Sequence, residues 1–111
     1  MRIQLLYFPG CPNVDAARST LCRALESLDL QVVIDEVDIS SGGGAPSLAA
    51  WGSPTILVDG LDVAGQLSGD GAACRLYATA AGLAGVPEEA SVRIALALAA
   101  RGGPANQGQE Q

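Results

Sequence analysis

The chain has 111 residues, one domain's worth, and 49% of them are hydrophobic, mostly Ala, Leu and Val; that is enough to bury a core without metal or disulfide staples. Six basic against twelve acidic residues give a net charge of −6, and an acidic surface repels phosphate backbones and anionic lipid, which excludes nucleic-acid and membrane-surface binding. There is no histidine, which removes Ser-His-Asp and Cys-His catalysis and every His-containing zinc site.

The first apolar run, MRIQLLYF, is shorter than a secretory signal's, and no stretch approaches the roughly 18 apolar residues of a membrane span. The cysteines, Cys11, Cys22 and Cys74, are odd in number and widely spaced, unlike a secreted disulfide framework. We expect a cytoplasmic chain with free thiols.

In chain order, residues 2–8 read as a buried strand, punctuated by Pro9-Gly10-Cys11-Pro12. Over 13–28, Val14, Ala17, Leu21, Leu25 and Leu28 recur at helical spacing. Pro12 suits the first turn of that helix, where its missing N–H has no partner to lose, and Asp15 suits the positive end of the dipole. Cys22 falls at the flank of the stripe and is expected to pack. Residues 30–39, β-branched at the centre, read as the second strand. A Gly-Ser loop over 40–45 and a short helical turn over 46–51 follow. Residues 52–54 break the chain before a third strand over 55–58, and Asp59-Gly60 is a strong turn signal. Residues 61–73 are Gly-rich and show no period; 73–78 read as the fourth strand and 79–86 as a loop. Pro87 opens a last helix, with Glu88 and Glu89 at its start and Arg101 at its end. Its apolar face is wide enough to pack on the sheet or to serve a dimer contact. Gly102-Gly103-Pro104 ends it, and the tail, 102–111, is expected to be disordered.

The order is β-α-β-(short α)-β-β-α, one α/β domain over 1–101. We expect a mixed four-stranded sheet with helices on both faces. Its first two strands run parallel about a helical crossover, and its last two are antiparallel.

Cys11 follows a strand and precedes a helix. At the N-cap its sulfur would lie near the free N–H groups of Asn13 and Val14. Those groups and the helix dipole favour the thiolate, which is the nucleophile and the soft-metal ligand. The bland alternative is a structural cysteine at a turn. Ser53-Pro54 is the second feature, because X–Pro bonds are where cis peptides occur. The expected topology sets this turn at the Cys11 end of the sheet. A cis bond there would present the Ser53 backbone to an extended partner; the alternative is an ordinary trans proline. Trp51 either lines the same site or belongs to the core or its rim. Gly42-Gly43-Gly44 lacks the Lys-Ser/Thr of a phosphate loop, and Asp59, Asp62 and Asp70 lack calcium-loop spacing. Asp35, Glu36 and Asp38 read as a solvated strand edge.

Three blocks carry a family resemblance: Tyr7-Phe8-Pro9-Gly10-Cys11-Pro12-Asn13, Gly52-Ser53-Pro54-Thr55 running on to Asp59-Gly60, and Cys74-Arg75-Leu76-Tyr77. With the element order, they make residues 1–101 resemble the thioredoxin-like superfamily. Within it the chain looks like a subgroup of small bacterial proteins with a single active-site cysteine. Those are labelled thioredoxin-like or alkylmercury lyase-related, and the second label would bring an association with mercury resistance. The resemblance implies thiol chemistry at Cys11, a cis peptide before Pro54, and contact of Pro12, Ser53, Pro54 and Trp51 with the substrate; it implies no cofactor. The chain departs from the superfamily's C-x-x-C pattern, since the second position is Val14, so a neighbouring thiol cannot resolve a mixed disulfide.

Three functions fit these residues. The first is a thiol oxidoreductase acting on a thiol or disulfide substrate, protein or small molecule. In it Cys11 attacks, and Cys74 or an outside thiol such as glutathione resolves. The second is a non-enzymatic binder of a soft metal ion or organomercurial through Cys11 and Cys74. The third is a redox-inactive interaction domain that kept the fold. For Cys74 the bland alternative is a small hydrophobe buried in a strand.

Overall fold

A computed structural model describes residues 1–40, 51–66 and 75–101. The first apolar run forms β1 (Ile3–Tyr7), and the helical stripe after it forms α1 (Val14–Ser27). Then come β2 (Ile34–Asp38), β3 (Thr55–Val58), β4 (Leu61–Asp62), β5 (Tyr77–Thr79), β6 (Gly82–Ala84) and α2 (Glu89–Ala100). The first four strands make one mixed sheet in the order β2-β1-β3-β4. As expected, β1 and β2 are parallel, from Ile3 opposite Ile34 to Tyr7 opposite Asp38. β3 returns antiparallel on the other side of β1, with Ile3 opposite Val58 and Leu6 opposite Thr55.

The turn at Asp59-Gly60 does what its residues foretell. Both have positive φ, 51° and 85°, which is the type I′ geometry that suits the twist of a two-residue hairpin. Asp59 also clasps the start of β1: its N–H donates to the Arg2 carbonyl (2.8 Å), and its Oδ1 accepts from the Arg2 N–H (2.7 Å).

The partner of β3 is where the structure corrects the expectation. The fourth strand is Leu61–Asp62, set by the tight turn itself, and not 73–78. A two-residue strand carrying a buried carboxylate shows no period to read. Tyr77 pairs instead with Ala84 in a separate β5-β6 hairpin, which occupies part of the stretch read as a loop.

Strand alternation splits the core in two. On one face Ile3, Leu5, Ile56 and Val58 meet Ala17, Leu21 and Ala24 of α1 and Val92 and Leu96 of α2. On the other, Leu6 and Leu57 meet Ile39 and Trp51. Burying each large aliphatic side chain contributes about 1.5–3 kcal/mol. Both helices among the described residues share the first face, where helices on both faces were expected. The short helical turn expected over 46–51 lies, apart from Trp51, outside the described residues, as does the tail, 102–111.

Ion pairs tie the helices down from outside. Arg18 of α1 donates through Nε to Glu36 of β2 (2.7 Å) and through a terminal nitrogen to Asp15 (2.6 Å). Its guanidinium holds the Glu36 carboxyl below the usual carboxylate range. Arg23 of α1 reaches Glu89 at the start of α2 (2.8 Å). Exposed pairs like these contribute about 0–1 kcal/mol each.

Two helical residues differ in burial from what their spacing suggests. Cys22 is exposed, one position beyond the buried Leu21, so it does not pack as expected. In α2, Val92 and Leu96 are buried while Ile94 and Leu98 are exposed. These last two border an open groove of about 750 Å³ with Leu61 and Val63. The β1-β3 register puts that groove at the Ile3 and Val58 end of the sheet, away from Cys11. Among the described residues, no helix is long and apolar enough to cross a membrane.

Candidate functional site

β1 ends at Tyr7, and the chain turns at once. The Cys11 N–H donates to the Phe8 carbonyl (3.2 Å), with Pro9 second and Gly10 third in the turn. Gly10 has φ +88°, which a type II turn requires at that position and glycine adopts without penalty. Cys11 emerges half-buried, packed against the first-face cluster.

The helix begins later than expected. Its N-cap is Asn13, so Cys11 stands two residues ahead of the cap and Pro12 one ahead, outside the first turn. A residue before proline is pushed away from helical backbone, which keeps Cys11 out of α1. The Asn13 side chain makes no capping hydrogen bond. It lies against Gly85 instead, where a built Cβ would meet its Nδ2 at 2.2 Å. Gly85 therefore lets the end of the β5-β6 hairpin close on the start of α1, beside Cys11. That role follows only from three-dimensional packing, and no local signal marked it.

The peptide between Ser53 and Pro54 is cis. The β1-β3 register, continued past Leu6 and Thr55, brings Ser53 to Phe8, and the Phe8 N–H donates to Ser53 Oγ (3.3 Å). Phe8 thus joins the two features: its carbonyl holds the Cys11 turn and its amide holds the cis-proline loop. The expected exposure of the Ser53 backbone is not found. Ser53 is 0% exposed, and its carbonyl accepts from the Arg75 N–H (2.9 Å).

Around that loop sits a buried polar network the sequence did not suggest. The Arg75 guanidinium takes both oxygens of Asp62, at 3.2 Å to Oδ1 and 3.0 Å to Oδ2. It also donates to Thr55 Oγ1 (3.1 Å) and Gln66 Oε1 (3.2 Å). Its Cζ stands 4.5 Å from the centre of the Tyr77 ring and 5.8 Å from that of Trp51, a stacked cation-π arrangement. Trp51 accordingly belongs to the second-face cluster, whereas Cys11 packs on the first. Cys74 lies outside the described residues; Arg75 is its neighbour in the chain.

The Tyr77 hydroxyl donates to the Pro54 carbonyl. Burial pushes its ionisation up to about 12, because a phenolate there would lose its hydration. The unfolded chain ionises this group near pH 10, so the folded state holds the proton more tightly. The stabilisation is fully present below about pH 10 and is lost as pH rises toward about 12, of the order of 2–3 kcal/mol in all. The chain's six cations are all Arg, so no lysine titrates in that window. Urea midpoints measured across it should fall more steeply for the native chain than for Tyr77→Phe. Parallel curves would mean that Tyr77 does not carry the effect.

No protein-family model matches the chain, and neither a curated protein nor a solved structure matches it.

Proposed function

We propose that this chain is a thioredoxin-like thiol oxidoreductase that acts through the Cys11 thiolate without a C-x-x-C partner. One observation carries the reading. The turn that presents Cys11 and the cis Ser53-Pro54 loop are fastened to the same residue, Phe8, at one end of the sheet. The half-buried position of Cys11 supports it, since the residue packs against the first-face cluster without being sealed in the core. The start of α1 three residues on adds a positive dipole end nearby.

In this reading Cys11 attacks a disulfide and becomes a mixed disulfide. An outside thiol then attacks the attached substrate sulfur, forms a disulfide with it and frees Cys11; or Cys74 attacks the Cys11 sulfur, releases the substrate as thiol and leaves a Cys11–Cys74 disulfide for outside thiol to reduce. Pro12, exposed next to Cys11, flanks the approach; Pro54 is buried, and Ser53 positions the Phe8 turn rather than touching a partner strand.

The test is chemical. In a Cys22→Ser background, Cys11 should be alkylated by iodoacetamide about tenfold faster than a short cysteine peptide. Cys11→Ser should abolish turnover of a disulfide substrate. A rate no higher than the peptide's, with turnover unchanged in Cys11→Ser, would end this reading. Cys74→Ser separates the two resolving routes: accumulation of the Cys11 mixed disulfide assigns the second step to Cys74, and undiminished turnover assigns it to an outside thiol.

A further inference from the structure

Three consecutive carbonyls at the cis-proline loop are spent inside the chain. That of Gly52 accepts from Thr55 Oγ1 (2.7 Å), that of Ser53 from the Arg75 N–H (2.9 Å), and that of Pro54 from the Tyr77 hydroxyl. Pro54 has no N–H to offer, and from Thr55 onward the strand is paired with β1. Gly52, Ser53 and Pro54 are all buried. An extended polypeptide adds to a sheet by exchanging main-chain hydrogen bonds with an open row of N–H and C=O groups. Along 52–54 the carbonyls of that row are taken, those of Ser53 and Pro54 by the chain's own segment at Arg75 and Tyr77 and that of Gly52 by Thr55. That segment is itself anchored, since moving Arg75 would strip its partner from Asp62, whose side chain is 0% exposed.

We infer, resting on the role of Cys11 proposed above, that the substrate of this thiol is a small disulfide and not an extended polypeptide laid along the cis-proline loop. The Cys11 thiolate attacks one sulfur of the small disulfide. A new S–S bond forms to Cys11 as the old one breaks, and the other sulfur leaves as a thiolate that takes a proton from water. Cys11 is thereby oxidised to the mixed disulfide, and half of the substrate is reduced to thiol. A second thiol attacks the attached sulfur, forms a disulfide with it and returns Cys11 as thiolate.

Two probes with the same leaving group test this. One is bis(2-hydroxyethyl) disulfide; the other is a linear peptide whose central cysteine is disulfide-linked to 2-mercaptoethanol. Mixed-disulfide formation at Cys11 is read by mass spectrometry in the Cys22→Ser chain, and each rate is divided by that of a free cysteine peptide with the same probe. The small probe should be favoured about tenfold over the peptide probe, because the buried loop has no carbonyl left to offer the longer chain. Equal normalised rates, or a faster peptide probe, with both above the free peptide, would overturn the inference and leave the Cys11 reading standing. Normalised rates at or below unity for both probes would bring down the Cys11 reading itself.

Discussion

Replacing Asp62 with alanine should destabilise the protein by about 3–5 kcal/mol, the cost of leaving a buried charge without its partner. Asp62 is fully buried at the side chain, and Arg75 is only 12% exposed there. The carboxylate accepts two hydrogen bonds from the guanidinium and a third from the Gln66 N–H (3.1 Å). Without it, the cation stays against the Trp51 and Tyr77 rings with Thr55 and Gln66 as its neutral side-chain acceptors among the described residues. Domains of this size have about 5–15 kcal/mol in total, so the loss should show as a large drop in urea midpoint. The double variant, Asp62→Ala with Arg75→Leu, should recover part of it by removing the stranded charge. A single-variant cost below about 1 kcal/mol would mean that water reaches the guanidinium and that the pair is not sealed.

Leu21→Ala should cost about 2–5 kcal/mol, the usual range for a fully buried leucine that leaves a cavity. Leu21 is 0% exposed at the middle of α1, in the cluster that joins α1, α2 and the sheet. Its neighbour is the control. Cys22 is exposed, so Cys22→Ala should change stability by no more than about 0.5 kcal/mol. Chemical denaturation of the two variants reads the rotational setting of the helix directly. Comparable losses would mean that the buried stripe is turned toward Cys22.

The contrast between these neighbours shows what the sequence could carry. The period of Val14, Ala17, Leu21 and Leu25 places α1 to within a residue at each end, because an amphipathic stripe is a local pattern. The Asp59-Gly60 turn was legible for the same reason: its demand for positive φ is met by two adjacent residues. Cys22, at the edge of the stripe, was decided by a fraction of a helical turn. Asp62 and Arg75 carry no local signal of burial, since charged residues read as surface until each supplies the other's partner. Their separation in the chain hides that partnership, and with it β4 and the cover over the cis-proline loop. At the site, the Cys11 turn and the cis bond were readable from Pro9-Gly10-Cys11-Pro12 and Ser53-Pro54. The packing of Asn13 on Gly85, and the shielding of Ser53 by Arg75 and Tyr77, depended on residues that arrive from the far end of the chain.

The two margins of the sheet bear on how the protein behaves in concentrated solution. On one flank β2 leaves Asp35 exposed, while Glu36 is paired with Arg18, so two molecules approaching there set like charges at Asp35 against each other. On the other, β4 stops after two residues, too short a template for a foreign strand to zip along. Repulsion on one flank and brevity on the other discourage molecules from stacking margin to margin into fibrils, although the strands between are as apolar as any amyloid-prone segment.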